Sequence, residues 1–355
     1  MMELADEYKG EDEEAGASPG PVERLPTEIL EYILSLLPPY IDLQVCKKVC
    51  HRWRDCALGV ESTRKKEFPD ALTEGRVQWT HSDSCVQLQA ISKRYGHAAC
   101  VSGGYLYVFG GLTVANTSFN DLWCLNLNSR QWTRLIVTGS YPSPKGLTTF
   151  LPFKDTIVLF GGFTDVRIPM RMFTELHFYH VKNNHWITSG LGSGTGAQRF
   201  PPAMAGHSAT IHGNLMIVFG GCHLHPAHPL QFISNDVYSL DLGCLTWYRP
   251  SVGQAKPSPR YLQTQVKLDD HHLLVIGGLY YKVEIWYDVP FRTYSDVWML
   301  YVDPESPDGP WVWKEMTVID KQIVNQKAIN PFTSELYSGP QLKAMMENEY
   351  IQEPQ

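Results

Sequence analysis

The sequence predicts a mainly β body made of four repeated units, preceded by a short helical module. Three observations carry this. First, an apolar run ending in paired glycines occurs four times, at Gly110-Gly111, Gly161-Gly162, Gly220-Gly221 and Gly277-Gly278. The first glycines are 51, 59 and 57 residues apart, a period that marks a repeat architecture. Second, an acidic residue follows each pair, and in three units a Trp follows the acid by 11 residues: Asp121 to Trp132, Glu175 to Trp186 and Asp236 to Trp247. Third, residues 25–37 carry Leu and Ile at helical spacing ahead of all the repeats.

Composition agrees with a packed, turn-rich protein. Of 355 residues, 43% are hydrophobic and only 19% charged, with 28 Gly and 24 Pro supplying turns. The net charge is −7, but residues 1–20 hold seven acids and one Lys, so that stretch alone contributes −6. It is read as a solvated, disordered acidic tail. The remaining body, at −1, has no basic footprint for nucleic acid. No basic stretch leads into an apolar leader, and no apolar run reaches the 18 residues of a membrane span, so no membrane partner is expected. Eight scattered Cys fit a reduced protein of the cytoplasm or nucleus.

In chain order, "LPTEILEYILSLLPPY" (25–40) places Ile29, Leu30, Ile33, Leu34 and Leu37 on a helical stripe. Pro26 suits a first helical turn, and Pro38-Pro39 stop the helix. Residues 42–57 resume the period through Leu43, Cys46, Val49, Cys50, Trp53 and Ala57, with Asp42 as the expected N-cap. A module of about 40 residues cannot bury so many apolar side chains by itself, so the surplus is expected to face a partner. Residues 61–76 are charged and read as a helical linker.

The repeats occupy 77–315. Their lead-ins are "RYGH" (94–97), "PKGL" (144–147), "MAGH" (204–207) and "PRYL" (259–262). Beyond the glycines come "NDLW" (120–123), "TELH" (174–177), "NDVY" (235–238) and "SDVW" (295–298). A constant acid-to-Trp distance marks a hairpin whose register admits no insertion. The fourth is read as stretched, from Asp296 to Trp311. The segment between the second glycine and the acid varies in length and is read as a loop. A phosphate-binding loop would continue to Gly-Lys-Ser/Thr and would not occur four times, so that reading is rejected.

This pattern of apolar run, Gly-Gly, loop, acid with aromatic, then Trp resembles the Kelch repeat. The resemblance implies a β-propeller with one four-stranded blade per repeat. "LPTEILEYILSLL" with Asp42-Leu43, Val49-Cys50 and Trp53-Arg54 resembles the F-box, over 21–60. That resemblance implies docking to a Skp adaptor, and through it to a cullin-RING ligase. The residues it assigns to Skp are Leu25, Pro26, Glu28, Ile29, Leu30, Ile33, Leu34, Val49 and Trp53. One F-box followed by Kelch repeats is the arrangement of ligase substrate receptors. The resemblance therefore implies a non-catalytic adaptor that holds an unidentified target protein for ubiquitination. A Kelch interaction scaffold outside any ligase is the alternative.

Target contacts are expected on the loops after the glycine pairs: 112–119, 163–173, 222–234 and 279–294. Tyr280, Tyr281, Trp286, Tyr287 and Arg292 are candidates, with His223 and His225, because aromatics and Arg favour interfaces. The competing reading has the aromatics filling a gap left by the stretched blade. Cys222, His223, His225 and His228 also have the short spacing of metal ligands, as do Cys46, Cys50, His51 and Cys56. Both groups are read as structural, with no metal or cofactor. His97 and His207, at one repeat position, are read as buried and hydrogen-bonded. The linkers 140–146 and 255–261 share Pro-Ser-Pro and a base, and are read as rigid turns first and contacts second. Trp79 is read as the outer strand of a last blade. Residues 316–355 contain no Gly-Gly, so the propeller is expected to be open, with a degenerate blade in 316–340 as the alternative.

Overall fold

In a computed structural model of the chain, the described residues are 22, 24–37, 41–76, 91–115, 117–164, 171–190, 200–224, 231–280, 292–316, 328–329 and 336–337. They divide into two compact units, one built on the helices and one on the strands.

The helical unit contains α1 (Thr27–Ser35), α2 (Ile41–Cys46) and α3 (His51–Thr73). The single helix expected over 42–57 is broken by a turn at residues 47–49, and Asp42 sits inside the first turn of α2. α3 then runs on through most of the stretch read as a linker. Leu30, Leu34, Leu43, Cys46, Cys56, Ala57 and Val60 form the core, with Leu37 and Trp53 packed against it. Arg64 on α3 donates to the carbonyls of Ser35 (2.5 Å) and Leu37 (2.9 Å). Those carbonyls lie at the end of α1, where no helical partner remains for them.

Among the described residues the strand unit is four antiparallel blades set side by side as in a propeller, and these blades do not close into a ring. Blade one is Ala98–Ser102, Tyr105–Phe109, Leu122–Asn126 and Trp132–Leu135; blade two is Thr149–Phe153, Thr156–Phe160, Leu176–His180 and His185–Ser189. Blade three is Ser208–His212, Leu215–Phe219, Val237–Asp241 and Thr246–Tyr248; blade four is Thr264–Lys267, His272–Ile276, Val297–Tyr301 and Val312–Met316. Within each blade the strands pair in chain order, and the first strands of successive blades lie side by side.

The core sits between blades. Phe109 and Leu122 of blade one pack on Phe150, Leu159 and Trp186 of blade two. Phe160 of blade two meets Met216, Val218 and Trp247 of blade three. Phe219 and Ile217 of blade three meet Leu273, Val275, Leu300 and Trp313 of blade four. Middle blades are therefore covered on both faces, and their second strands end in unbroken buried apolar runs, Ile157–Phe160 and Leu215–Phe219. In blade four, His272–Ile276 alternates between buried and partly exposed residues, as a strand covered on one face does.

Pairing corrects the fourth Trp. Trp132, Trp186 and Trp247 lie opposite Leu125, Tyr179 and Leu240; the residue opposite Leu300 is Trp313, not Trp311. Trp311 is buried elsewhere, its backbone N–H bonded to the Ser251 carbonyl at 2.7 Å.

The glycine pairs are explained by backbone contact between blades. The second glycine of each of the first three pairs donates its N–H to a carbonyl in the next lead-in: Gly111 to Lys145 (3.0 Å), Gly162 to Met204 (2.8 Å) and Gly221 to Arg260 (2.9 Å). The first glycine stands against that same carbonyl. A Cβ on Gly110 would lie 2.4 Å from the Lys145 oxygen, and one on Gly220 2.7 Å from the Arg260 oxygen. Both glycines of every pair also have positive φ, which other residues adopt at a cost.

His207 is fully buried as expected, edge-on to Phe160 and bonded through Nε2 to Thr149 Oγ1 at 3.2 Å. His97, expected to match it, is exposed, because no preceding blade covers blade one among the described residues. Trp79 lies outside the described residues, as does most of 316–340.

Two outcomes are expected. Gly110→Ala should lose about 2 kcal/mol more stability than Gly103→Ala, measured by urea midpoint. Both have positive φ, but a Cβ on Gly103 meets nothing within 4 Å, so the difference isolates the carbonyl clash. The second concerns pH. Burial holds the His207 imidazole neutral, pushed down to about 3. The unfolded chain takes up that proton near 6.5, so this contribution is complete above pH 6.5 and is lost as pH falls toward 3. Its slope is about 1.4 kcal/mol per pH unit inside that window. Stability measured from pH 7 to 5 should fall less steeply for His207→Gln than for the native chain.

Candidate functional site

The helical unit carries a surface its own core does not use. α1 has two apolar stripes. Leu30 and Leu34, each 1% exposed, point into the unit, so these two residues are core rather than partner-facing as the sequence suggested. Ile29, Tyr32, Ile33 and Leu36, spaced by three and four residues, point outward, and all four are exposed. Val45 at the end of α2 and Val49 in the following turn are exposed as well. A helix that is apolar on both sides is built to be covered on both sides. Of the other residues assigned to Skp, Pro26 and Glu28 are exposed, Leu25 is half-buried, and Trp53 is half-buried against the core.

On the propeller, the loops after the glycine pairs are anchored by a buried base that the sequence reading did not single out as structural. Arg94 of blade one grips Asp121 with both guanidinium nitrogens (2.5 and 3.1 Å) and also donates to the Gly110 carbonyl (3.0 Å). Arg260 of blade four grips Asp296 the same way (2.7 and 2.8 Å) and donates to Gly277 (2.9 Å). In blade two, Lys145 meets Glu175 at 2.6 Å. Each cation also faces an aromatic ring from the returning loop: Phe119 at 4.1 Å, Phe173 at 4.0 Å and Tyr294 at 4.2 Å.

The acid motif now has a reason. The residue two positions after the acid donates a ring N–H to it: Trp123 to Asp121 (2.7 Å) and Trp298 to Asp296 (2.8 Å). His177 contacts Glu175 at 3.2 Å in the same place. Burial opposes ionisation of these carboxyls, but bonds from the cations and rings outweigh it and hold all three below the ordinary range. The Asn before the acid binds the Pro-Ser-Pro linker, Asn120 to the Pro142 carbonyl and Asn235 to Pro257. The linker bases Lys145 and Arg260 are thus buried anchors, so the contact role read second for these linkers does not fall to their bases.

Blade three departs as a set. Met204 replaces the base, Ser234 replaces the aromatic, and Asp236 turns outward to Arg249 at 2.8 Å. Arg249 itself lies over the Tyr238 ring at 5.8 Å.

Of the expected target-facing residues, Tyr280 is half-buried and pairs with exposed Arg292 in a short hairpin. The Arg292 guanidinium lies 5.2 Å from the Tyr294 ring, and Arg171 in blade two lies likewise 5.1 Å from Phe173. His223 stacks on Phe232 at 5.9 Å. Tyr281, Trp286, Tyr287 and His225 lie outside the described residues, as does His228. Cys222 is buried, with its thiol near the Ala205 carbonyl and pushed up to about 12 by burial. Cys46 and Cys56 are core residues, whereas Cys50 and His51 are exposed.

Comparison with known proteins places both units. A family model for an F-box-like domain matches residues 22–61, and one for the FBX42 β-propeller domain matches 94–308. Tip elongation aberrant protein 1 of Schizosaccharomyces pombe is 31% identical over 60% of this chain and 19% of its own length. Human Kelch domain-containing protein 1 is 25% identical over 70% of this chain and 58% of its own. Human Kelch domain-containing protein 3 is 29% identical over 57% and 51%. The chain thus spans well under two thirds of these relatives. The solved structure of YjhT superposes with a TM-score of 0.48 at 17% identity, over 66% of this chain and 68% of that one. With the FBX42 propeller model covering more than half its residues and an F-box-like domain ahead of it, the chain belongs to the F-box proteins that carry a Kelch-type propeller.

Proposed function

We propose that this chain is the substrate-recognition subunit of a Skp–cullin–F-box ubiquitin ligase. The observation that carries the reading is the second apolar stripe of α1, Ile29, Ile33 and Leu36, exposed, as Val45 and Val49 are, in an F-box-like unit. Apolar side chains arranged this way fit a groove on a helical adaptor, with affinity from burial of the stripe. The target then sits on the propeller loops, where exposed Arg171 and Arg292 stand beside aromatic rings that lie over fixed anchors. The chain does no bond chemistry in this reading. Its contribution is proximity, holding a target where the other ligase subunits deliver ubiquitin.

Co-purification with Skp and cullin tests the reading. The native chain should bring both down. Ile33→Asp should abolish capture and change the unfolding midpoint far less than a core substitution does, since the side chain is exposed and no part of the helical core. Leu34→Ala should lower stability by about 2–5 kcal/mol through an empty core position. A folded native chain that captures neither Skp nor cullin would refute the ligase reading and favour a free-standing Kelch scaffold.

A further inference from the structure

Every junction between described blades uses the same three backbone hydrogen bonds. At the first, Gly111 N–H donates to the Lys145 carbonyl, Lys145 N–H to Phe119 (2.9 Å), and Leu147 N–H to Gly96 (2.7 Å). At the second, Gly162 donates to Met204, Met204 to Phe173 (3.2 Å), and Gly206 to Leu147 (3.0 Å). At the third, Gly221 donates to Arg260, Arg260 to Ser234 (3.0 Å), and Leu262 to Gly206 (2.8 Å). Each blade thus offers its successor one donor and two acceptors, and the successor's lead-in answers with two donors and one acceptor.

One half of this pattern is left over at each end of the row. On blade four it is the Gly278 N–H with the carbonyls of Tyr294 and Leu262. On blade one it is the N–H and carbonyl of Arg94 with the N–H of Gly96. None of these six groups has a backbone partner among the described residues. The two halves complement each other group for group. Blade one's lead-in also already has the docked shape. Its third residue, Gly96, has φ 61°, against 50°, 63° and 56° for Leu147, Gly206 and Leu262. Its middle residue, Tyr95, bridges to Leu112 as Gly146 does to Phe163 and Tyr261 to Leu279.

The side chains leave the same two halves. Phe109, Phe160 and Phe219, just before the glycines, are buried against Trp186, Trp247 and Trp313 of the following blade. Ile276 holds the first place in blade four and is 39% exposed; Trp132 holds the second in blade one and is half-buried. A Cβ on Gly277 meets only the Tyr294 oxygen of its own blade, at 3.2 Å, so the place of the next lead-in carbonyl is open. Val266, Tyr301 and Val312 are exposed on the blade-four face. Val101 is exposed on the blade-one face; its counterpart in blade three, Ile211, packs toward blade two.

We propose that blade one of one copy of this chain docks head to tail on blade four of a second copy and continues the row of blades across the contact. Gly278 N–H of the first-named edge donates to the Arg94 carbonyl of the other copy. Arg94 and Gly96 of that copy donate to the carbonyls of Tyr294 and Leu262, and Trp132 packs on Ile276. A second copy fits because it brings a lead-in of the shape that the other three junctions use, and within one chain these groups do not bond. The two faces differ, so the contact is heterologous: it closes into a ring where the rotation allows and otherwise extends as a chain of copies.

Sedimentation of the full-length chain over a range of concentrations tests this, with Ile33→Asp present throughout so that the α1 stripe does not contribute. The mass should rise with concentration to at least twice that of one chain. Ile276→Glu and Val101→Glu each put a charge into the contact at a position exposed in the single chain. Each alone should weaken association about thirtyfold or more, as loss of one interface hot spot does. Mixed in equal amounts, the two variants should pair again, because one brings an intact blade-one face and the other an intact blade-four edge. Ala99→Glu, also exposed on the blade-one face, replaces Val101→Glu if that variant lowers the unfolding midpoint. Three results overturn the proposal: a chain that stays monomeric at every concentration, association that either variant leaves unchanged, or a mixture no larger than its separate components. Association lost with Ile276→Glu but kept with Val101→Glu would mean that blade four meets another blade four. None of these readings depends on ligase activity.

Discussion

The propeller rests on the close approach of one blade's Gly-Gly turn to the next blade's lead-in carbonyl. At 2.4–2.8 Å from a virtual Cβ, the first three turns leave no room for any side chain. The contact is between backbones, so it fixes blade spacing without prescribing residue types in the lead-in. Arg, Lys and Met all serve there. Side-chain packing then follows from that spacing, with a Phe before the glycines and a Trp from the neighbouring outer hairpin filling the gap between sheets. Edge-to-face and tilted ring pairs at 5.0–5.6 Å between these residues suit aromatic quadrupoles, so the slab between blades is both apolar and directional.

The buried base is a second layer on that frame. Breaking a buried pair by removing one partner is costly, but exchanging the whole set for apolar groups is often neutral. Blade three does without the set. Met204 has lost its charge, Ser234 its ring, and Asp236 its inward partner, yet the Gly221-to-Arg260 and Gly162-to-Met204 bonds persist on either side. The backbone staircase is therefore what holds the blades, and the cation, acid and ring set the position of the loops above it. Loops between the glycines and the acid can then lengthen from blade to blade without disturbing register below, which is what a variable recognition surface needs.

Legibility in the sequence follows the same division. The glycine pairs and the acid-to-Trp hairpins are plain because backbone geometry forces one residue type at one spacing. The base is hidden, since it changes identity between blades and lies 27, 30 and 36 residues from its acid across loops of unequal length. Trp313 is masked by Trp311, two residues away, because the turn at 303–310 lengthens the hairpin. On α1 the apolar stripe is evident, but not its division. Leu30 follows Ile29, and Leu34 follows Ile33, by about 100° of helical rotation, and only the position of α3 decides which pair turns inward. The aromatic loop 281–291 and Trp79 lie outside the described residues.

The two exposed apolar surfaces differ in kind, and the difference bears on what each can bind. The α1 stripe offers side chains alone; its backbone is already satisfied within the helix. Such a surface binds by burial and can release its partner without leaving polar groups stranded. The edge of blade four offers one N–H donor and two carbonyl acceptors beside Ile276, so whatever covers it must also meet a fixed backbone pattern. Covering that edge with side chains alone would strand three backbone groups away from water, at a cost comparable to the apolar gain. An extended chain segment in register meets both demands, and a flat protein surface meets one. By this physics the helical face suits exchange of partners, and the blade-four edge suits an extended strand.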